Sequence, residues 1–234
     1  MKLFSKKIES NYSYLVAKEA PNSFVTEQLQ KMIVNLEYAN VDGQYKIVQF
    51  TSSMQSEGKT TLISNVAYLL ASRGKKVLVV DLDLRRPKVN RIYSVINKEG
   101  LTDYLLGKID KKTLIRKSDD NIDYIISGEK TTSIVQILES QKLKDLFEGL
   151  KQDYDYILLD TPPVIVVSDA LLINRIADGV IFIVAHGQGK KSMVKEAITS
   201  LTRNNIPIIG LCMTQDKVTK GKKYGYTYKY YSND

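Results

Sequence analysis

A mostly parallel sheet with helices on both faces, an α/β fold, is predicted by two observations. Short apolar runs alternate with helix-length spacers along most of the 234 residues, the pattern of strands joined by crossover helices. The runs are also nearly continuous in apolar residues rather than alternating, as expected of strands covered on both faces.

Taken in order, residues 24–38 come first. They place Val25, Leu29, Met32 and Leu36 at helical spacing with Glu27, Gln28, Lys31 and Asn35 between them, which predicts an amphipathic helix. Residues 46–51 (KIVQFT) read as a strand and 60–74 as a helix closed by Gly74. Residues 76–83 (KVLVVDLD) form the second strand, followed by a short helix near Leu101–Leu106, the strand 122–127 and helical sequence from about 133 to 151. Three further buried strands are expected at 155–160, 179–185 and 206–213, with helices near 168–177 and 189–204 between them. The expected organisation is an N-terminal segment (1–22), one folded domain (23–216) and a flexible tail (217–234).

Composition narrows the function classes. A chain of this length buries enough surface to fold without disulfides or structural zinc. Its one cysteine, Cys212, cannot form an internal bridge; set in an apolar run, it reads as a buried core thiol in a reducing compartment. The single histidine, His186, argues against a histidine metal site or a triad and reads as incidental. No run approaches the roughly 20 apolar residues of a membrane span, and MKLFSKKIES is basic without the apolar stretch of a secretory signal. A cytosolic protein is expected. The net charge is +8. Residues 1–20 hold four lysines against two glutamates, and residues 215–234 five lysines against two aspartates, so most of the excess is terminal. Such charge suits a solvated surface, and no nucleic-acid partner is expected.

The chemistry concentrates at SMQSEGKT, residues 53–60, between a strand and a helix. A phosphate-binding P-loop asks for Gly, four residues, then Gly-Lys-Ser/Thr. Here the second half is intact and Ser53 replaces the first glycine. In such a loop Gly58 lets backbone approach phosphate, and successive N–H groups at the helix start (Ser56, Glu57, Gly58, Lys59, Thr60 and Thr61) supply donors. Lys59 adds a cation and Thr60 a hydroxyl for magnesium. Asp81 and Asp83 end one apolar strand and Asp160 another. Carboxylates at the carboxyl ends of parallel strands face the crevice where open α/β sheets bind ligands, and a metal ion with phosphate would offset their repulsion. The fold expected is therefore P-loop NTPase-like, with magnesium-ATP as the ligand.

On these residues the chain resembles the bacterial tyrosine kinases of capsule and exopolysaccharide loci over roughly residues 24–231. SSMQSEGKTT matches Walker A, VLVVDLDLRRPKV the second Walker motif (A′), and DYILLDTPPV with its downstream SDA Walker B. The resemblance implies a phosphate-binding Lys59, a magnesium ligand at Thr60, and Asp81 and Asp83 serving magnesium and the tyrosine hydroxyl. It places Asp160 near the metal and lets Arg85 face phosphate, whereas pairing with nearby carboxylates is the alternative for Arg86. Five tyrosines, Tyr224, Tyr226, Tyr228, Tyr230 and Tyr231, crowd the last stretch of a chain that has 15. In that family such a cluster is the autophosphorylation site; docking or base stacking are the alternatives. The resemblance further implies a membrane-bound chain-length regulator as activator, a tyrosine phosphatase, association with other copies, and a place at the inner face of the plasma membrane through the partner.

Departures from the family pattern are also legible. Glu27 is kept, but Gln30 and Ile33 stand where the helix that joins subunits carries arginines, and Ile33 could instead pack in the core. Thr214 replaces the asparagine that often follows the last core strand. Two other readings remain: an ATP-switched partitioning ATPase of the MinD/ParA type, against which Met54 stands in place of an expected lysine, and a nucleotide-binding scaffold without catalysis.

Overall fold

The computed structural model describes residues 15–216. Helix α1 (Val16–Glu19) and helix α2 (Phe24–Ala39) lead into strand β1 (Ile47–Ser52), helix α3 (Lys59–Ser72) and strand β2 (Val77–Asp81). Short helices α4 (Val89–Ile92), α5 (Leu101–Leu105) and α6 (Lys111–Leu114) precede strands β3 (Arg116–Lys117) and β4 (Ile122–Ile125). Helices α7 (Ile134–Glu139) and α8 (Gln141–Leu150), strand β5 (Tyr156–Asp160), helix α9 (Asp169–Ile173), strand β6 (Gly179–Ala185), helix α10 (Lys191–Arg203) and strand β7 (Ile208–Thr214) complete it. The described strands form one seven-stranded sheet, ordered β3-β4-β2-β5-β1-β6-β7. Every pairing is parallel except the short β3–β4 ladder. This is the α/β architecture that the alternation of runs predicts, and the P-loop NTPase-like fold expected from the motif at residues 53–60.

Strand alternation sorts the core into two faces. Val48, Phe50, Val77, Val79, Tyr156 and Leu158 pack with α1, α2 and α3. Ile47, Leu78, Val80, Ile157 and Leu159 pack with α5 to α9, while Val180 and Phe182 meet α10. The same alternation carries Asp81 and Asp160, two residues beyond Val79 and Leu158, onto the α3 face. They are also register partners on adjacent strands. The order of strands reverses around β1: the chain leaves β1 for β2 on one side and returns past it to β6 on the other. Ligands of open α/β sheets bind at such a point, beyond the carboxyl ends of the strands.

Several expectations change in detail. The buried stripe of α2 is Thr26, Leu29, Ile33 and Leu36, and Val25 is exposed. Ser23 fixes this phase by capping the helix, its hydroxyl accepting from Thr26 N–H at 3.2 Å, and Ile33 does pack in the core. The helical sequence of 133–151 divides at Ser140, whose extended backbone ends α7 and whose hydroxyl caps α8. The helix expected over 168–177 is the short α9. Strand β7, expected to be buried, lies at the edge of the sheet, with Leu211 and Met213 exposed. Cys212 is correspondingly half-buried, not a fully buried core thiol. Residues 15–22, placed by sequence in the N-terminal segment, include α1, where the buried Ala17 donates its N–H to Asn65 Oδ1 on α3 at 2.8 Å. Among the described residues no helix is long and apolar enough to cross a membrane.

Candidate nucleotide-binding site

The loop from Ser53 joins β1 to α3 with its backbone wound for close approach. Gly58, at the start of α3, has φ +86° and Ser56 has φ +63°. Glycine holds such a conformation without the strain that a Cβ brings. Ser53 has no positive φ, so the missing first glycine is no conformational loss. Ser53 is instead fully buried, and its hydroxyl lies 3.2 Å from each oxygen of the buried Glu57 carboxylate. That carboxylate also accepts the N–H of Met54 at 2.7 Å and of Ala185 at 3.4 Å. Glu57 thus braces the loop through its side chain, leaving its backbone to face a ligand.

Lys59 and Thr60 open α3 and are both buried. The Lys59 ammonium donates to Ser52 Oγ at 2.8 Å. Burial holds its pKa below the ordinary lysine value, opposed by the carboxylates of Asp160 and Asp83. Thr60 donates its hydroxyl proton to Asp160 Oδ2 at 2.6 Å, which leaves the lone pairs of Thr60 Oγ1 for a cation. Burial pushes the Asp160 carboxyl up to about 6 and the Asp81 carboxyl well above its ordinary range, the latter with a further contribution from Asp160.

The two acidic residues after β2 are held differently. Asp81 accepts the N–H groups of Asp83 at 3.2 Å, Lys88 at 2.8 Å and Val89 at 2.9 Å, so it organises the loop that follows. Asp83 lies beyond the end of β2. Its Oδ1 accepts from Arg86 N–H at 3.0 Å, while Oδ2 accepts no hydrogen bond among the described residues. Burial raises its pKa, and the charges of Lys59 and Lys88 oppose that rise.

Arg85, expected at phosphate, grips the buried Asp169 with Nε–Oδ2 at 2.7 Å and Nη2–Oδ1 at 3.1 Å. It is therefore Arg85 that pairs with a carboxylate, tying the loop after β2 to the start of α9, whereas Arg86 reaches Gln55 beside the phosphate loop. His186 is exposed, 3.5 Å from Asp216. Thr61 is part of the first turn of α3. The tyrosines Tyr224, Tyr226, Tyr228, Tyr230 and Tyr231 lie outside the described residues.

The residues present fit magnesium-nucleotide. Two buried carboxylates of raised pKa sit on adjacent strands, one of them bonded to a hydroxyl with available lone pairs, and a divalent cation would offset their charge. Among the described residues no three carboxylate, imidazole or thiol groups are close enough to hold a metal ion. A magnesium ion would draw on phosphate and water as well, as it ordinarily does. The bracing by Glu57, Ser52 and Asp169 was not anticipated, because each depends on side chains distant in sequence or turned into the protein.

A strand-loop-helix with a buried lysine, facing paired strand-end carboxylates, defines a P-loop nucleotide-binding domain. A family model described as an AAA domain matches residues 45–202. The tyrosine-protein kinase YwqD of Bacillus subtilis (strain 168) is 33% identical over 213 residues, 91% of this chain and 90% of that protein. The crystal structure of the chimerical protein CapA2B2 superposes with a TM-score of 0.84 at 27% identity, covering 88% of this chain and 91% of that one. The kinase domain of Escherichia coli tyrosine kinase ETK gives the same TM-score, 0.84, at 24% identity over 96% and 86% of the two chains, a likeness of fold. The chain belongs to the AAA-domain family and, within it, to the bacterial tyrosine kinases.

Proposed function

We propose that this chain binds magnesium-ATP at the Ser53–Thr61 loop and transfers the terminal phosphoryl group to tyrosine hydroxyls. The acceptors are first those of Tyr224, Tyr226, Tyr228, Tyr230 and Tyr231, on neighbouring copies, and the modification regulates capsular or exopolysaccharide synthesis and export. The observation that carries the reading is the convergence of Lys59, Thr60 and Asp160 at one strand-helix junction in a chain 33% identical to a named tyrosine kinase.

Bound magnesium-ATP supplies the phosphoryl group and a divalent charge. The backbone N–H groups of Ser56 to Thr61 orient phosphate, and Lys59 offsets charge developing on its oxygens. Thr60 offers its hydroxyl oxygen to the metal while Asp160 holds the hydroxyl proton. Asp81 keeps the loop after β2 in place, so that it acts on the metal through position and charge. Asp83, with Oδ2 uncommitted, takes the tyrosine proton; a phenol of pKa about 10 needs such a base near neutral pH. Arg85 holds Asp169 through Nε and Nη2 and so steadies the loop after β2.

The catalytic body is residues 23–216, with α1 packed ahead of it, and residues 217–234 carry the acceptors. A membrane-bound chain-length regulator activates the enzyme through a cytosolic segment and holds it at the inner face of the plasma membrane, and a tyrosine phosphatase reverses the modification. Incubation of the full chain with magnesium-ATP, followed by mass spectrometry, is expected to find phosphate on the tail tyrosines. No tail phosphate, even with the activator's cytosolic segment added, would sink the proposal.

A further inference from the structure

Two consecutive positions at the end of β7, Thr214 and Gln215, reach back to the phosphate loop. Thr214, the final residue of β7, donates its hydroxyl to the Glu57 carbonyl at 2.7 Å. Its side chain also lies against the α-carbon of Gly58, so that a Cβ there would meet Thr214 atoms at 3.5–3.7 Å. Gln215, in the left-handed region at φ +57°, donates its amide to the Ser56 carbonyl at 2.8 Å. Gln188 donates in turn to Gln215 Oε1, and His186 N–H donates to the Thr214 carbonyl at 2.8 Å. Two consecutive carbonyls of the loop are thus taken by side chains from the last residue of β7 and the residue after it, more than 150 residues away.

The consequence follows from peptide geometry. In a trans peptide the carbonyl and the N–H of the same unit point in opposite directions. Holding the Ser56 carbonyl toward β7 aims the Glu57 N–H the other way, and holding the Glu57 carbonyl aims the Gly58 N–H the same way. Neither N–H donates a hydrogen bond among the described residues. The first backbone bond of α3 runs from Leu62 N–H to the Gly58 carbonyl at 2.9 Å, so the N–H groups of Glu57 and Gly58 are presented and unspent.

We propose that Thr214 and Gln215 are positioning residues of the nucleotide site. Their side chains fix the orientation of two loop peptides, and through them the N–H donors that bind phosphate. The inference rests on reading Ser53–Thr61 as the phosphate loop and adds to it the part of the chain that sets its shape. It also places the lead-in to the C-terminal stretch on the loop itself, so that the two are mechanically joined.

The test measures binding rather than phosphoryl transfer. The full chain and the variants Thr214→Val, Thr214→Ser and Gln215→Ala are titrated calorimetrically with ADP in excess magnesium, and each is melted without nucleotide. Loss of one neutral hydrogen bond predicts roughly 2- to 10-fold weaker binding for Thr214→Val and for Gln215→Ala. Thr214→Ser, which keeps the hydroxyl, is expected to bind like the parent. Gln215 is exposed, so its variant is expected to melt with the parent and weaken binding all the same. If Thr214→Val is poorly folded, Gln215→Ala decides. Parent-like affinity in Gln215→Ala and Thr214→Val overturns the inference, as does a Thr214→Ser variant no better than Thr214→Val. A parent chain that binds no magnesium-ADP overturns the phosphate-loop reading as well.

Discussion

Burial takes the Lys59 ammonium out of water beside two carboxylates, and Ser52 supplies a neutral partner. Lys59→Met removes the cation yet keeps the stem, so it is expected to reduce tyrosine labelling by at least about 100-fold while the far-ultraviolet dichroism stays as in the parent. Unchanged labelling would mean that the lysine does not face phosphate. Asp160 gives a pH dependence of known sign. Burial raises its carboxyl to about 6, against about 3.9 for an ordinary aspartate. A raised carboxyl contributes stability that is complete below the unfolded value and lost as pH rises through the folded one. The difference is on the order of 3 kcal/mol at most. In the nucleotide-free protein Asp160→Asn is therefore expected to raise Tm at about pH 7.5 and to change it little near pH 4. A lowered Tm at the higher pH would show that the ionised carboxylate is stabilising after all.

At the scale of elements, α2 gives to the core a position where the family resemblance suggests an arginine. Ile33 is fully buried against α1 and α3, whereas Gln30 is exposed. A charged residue at position 33 would leave an unpaired cation in an apolar layer. Ile33→Arg is accordingly expected to destabilise the chain by about 3 kcal/mol or more, read from urea unfolding, and not to restore a subunit contact. Stability within about 0.5 kcal/mol of the parent would place position 33 at the surface. The junction after β2 behaves similarly. Asp81 gathers three backbone N–H groups, and Arg85 clamps the start of α9 through Asp169. The loop after β2 and the start of α9 are thereby fixed to one another.

At the scale of the whole molecule, the sheet brings together segments that sequence keeps apart: the loop after β1, the ends of β2 and β5, and the end of β7. A ligand that engages several of them stabilises the fold by mass action. With magnesium-ADP at 100 times its dissociation constant the expected gain is about 2.7 kcal/mol, or roughly 5–10 °C in Tm. Because Asp160 must ionise to favour the cation, binding tightens as pH rises, so at one fixed magnesium-ADP concentration the gain is expected to be larger at about pH 7.5 than at about pH 5.5. Differential scanning calorimetry at the two values checks this, and an equal gain at both would separate Asp160 from the metal.

Much of this was legible before folding was considered. The apolar runs announced the sheet because parallel strands buried on two faces need apolar residues at every position. Gly58, Lys59 and Thr60 announced the phosphate loop because few residue types serve that chemistry, and Asp81 and Asp160 announced the crevice by ending strands. Local spacing could not say that β7 is an edge strand, since an apolar run reads the same at the edge as at the centre, nor that Ser140 divides a helix. It could not pair Arg85 with Asp169, Glu57 with Ser53 and Ala185, or Thr214 with the loop. Those are choices among long-range partners, and only the packed sheet, by bringing the carboxyl ends of its strands together, makes them.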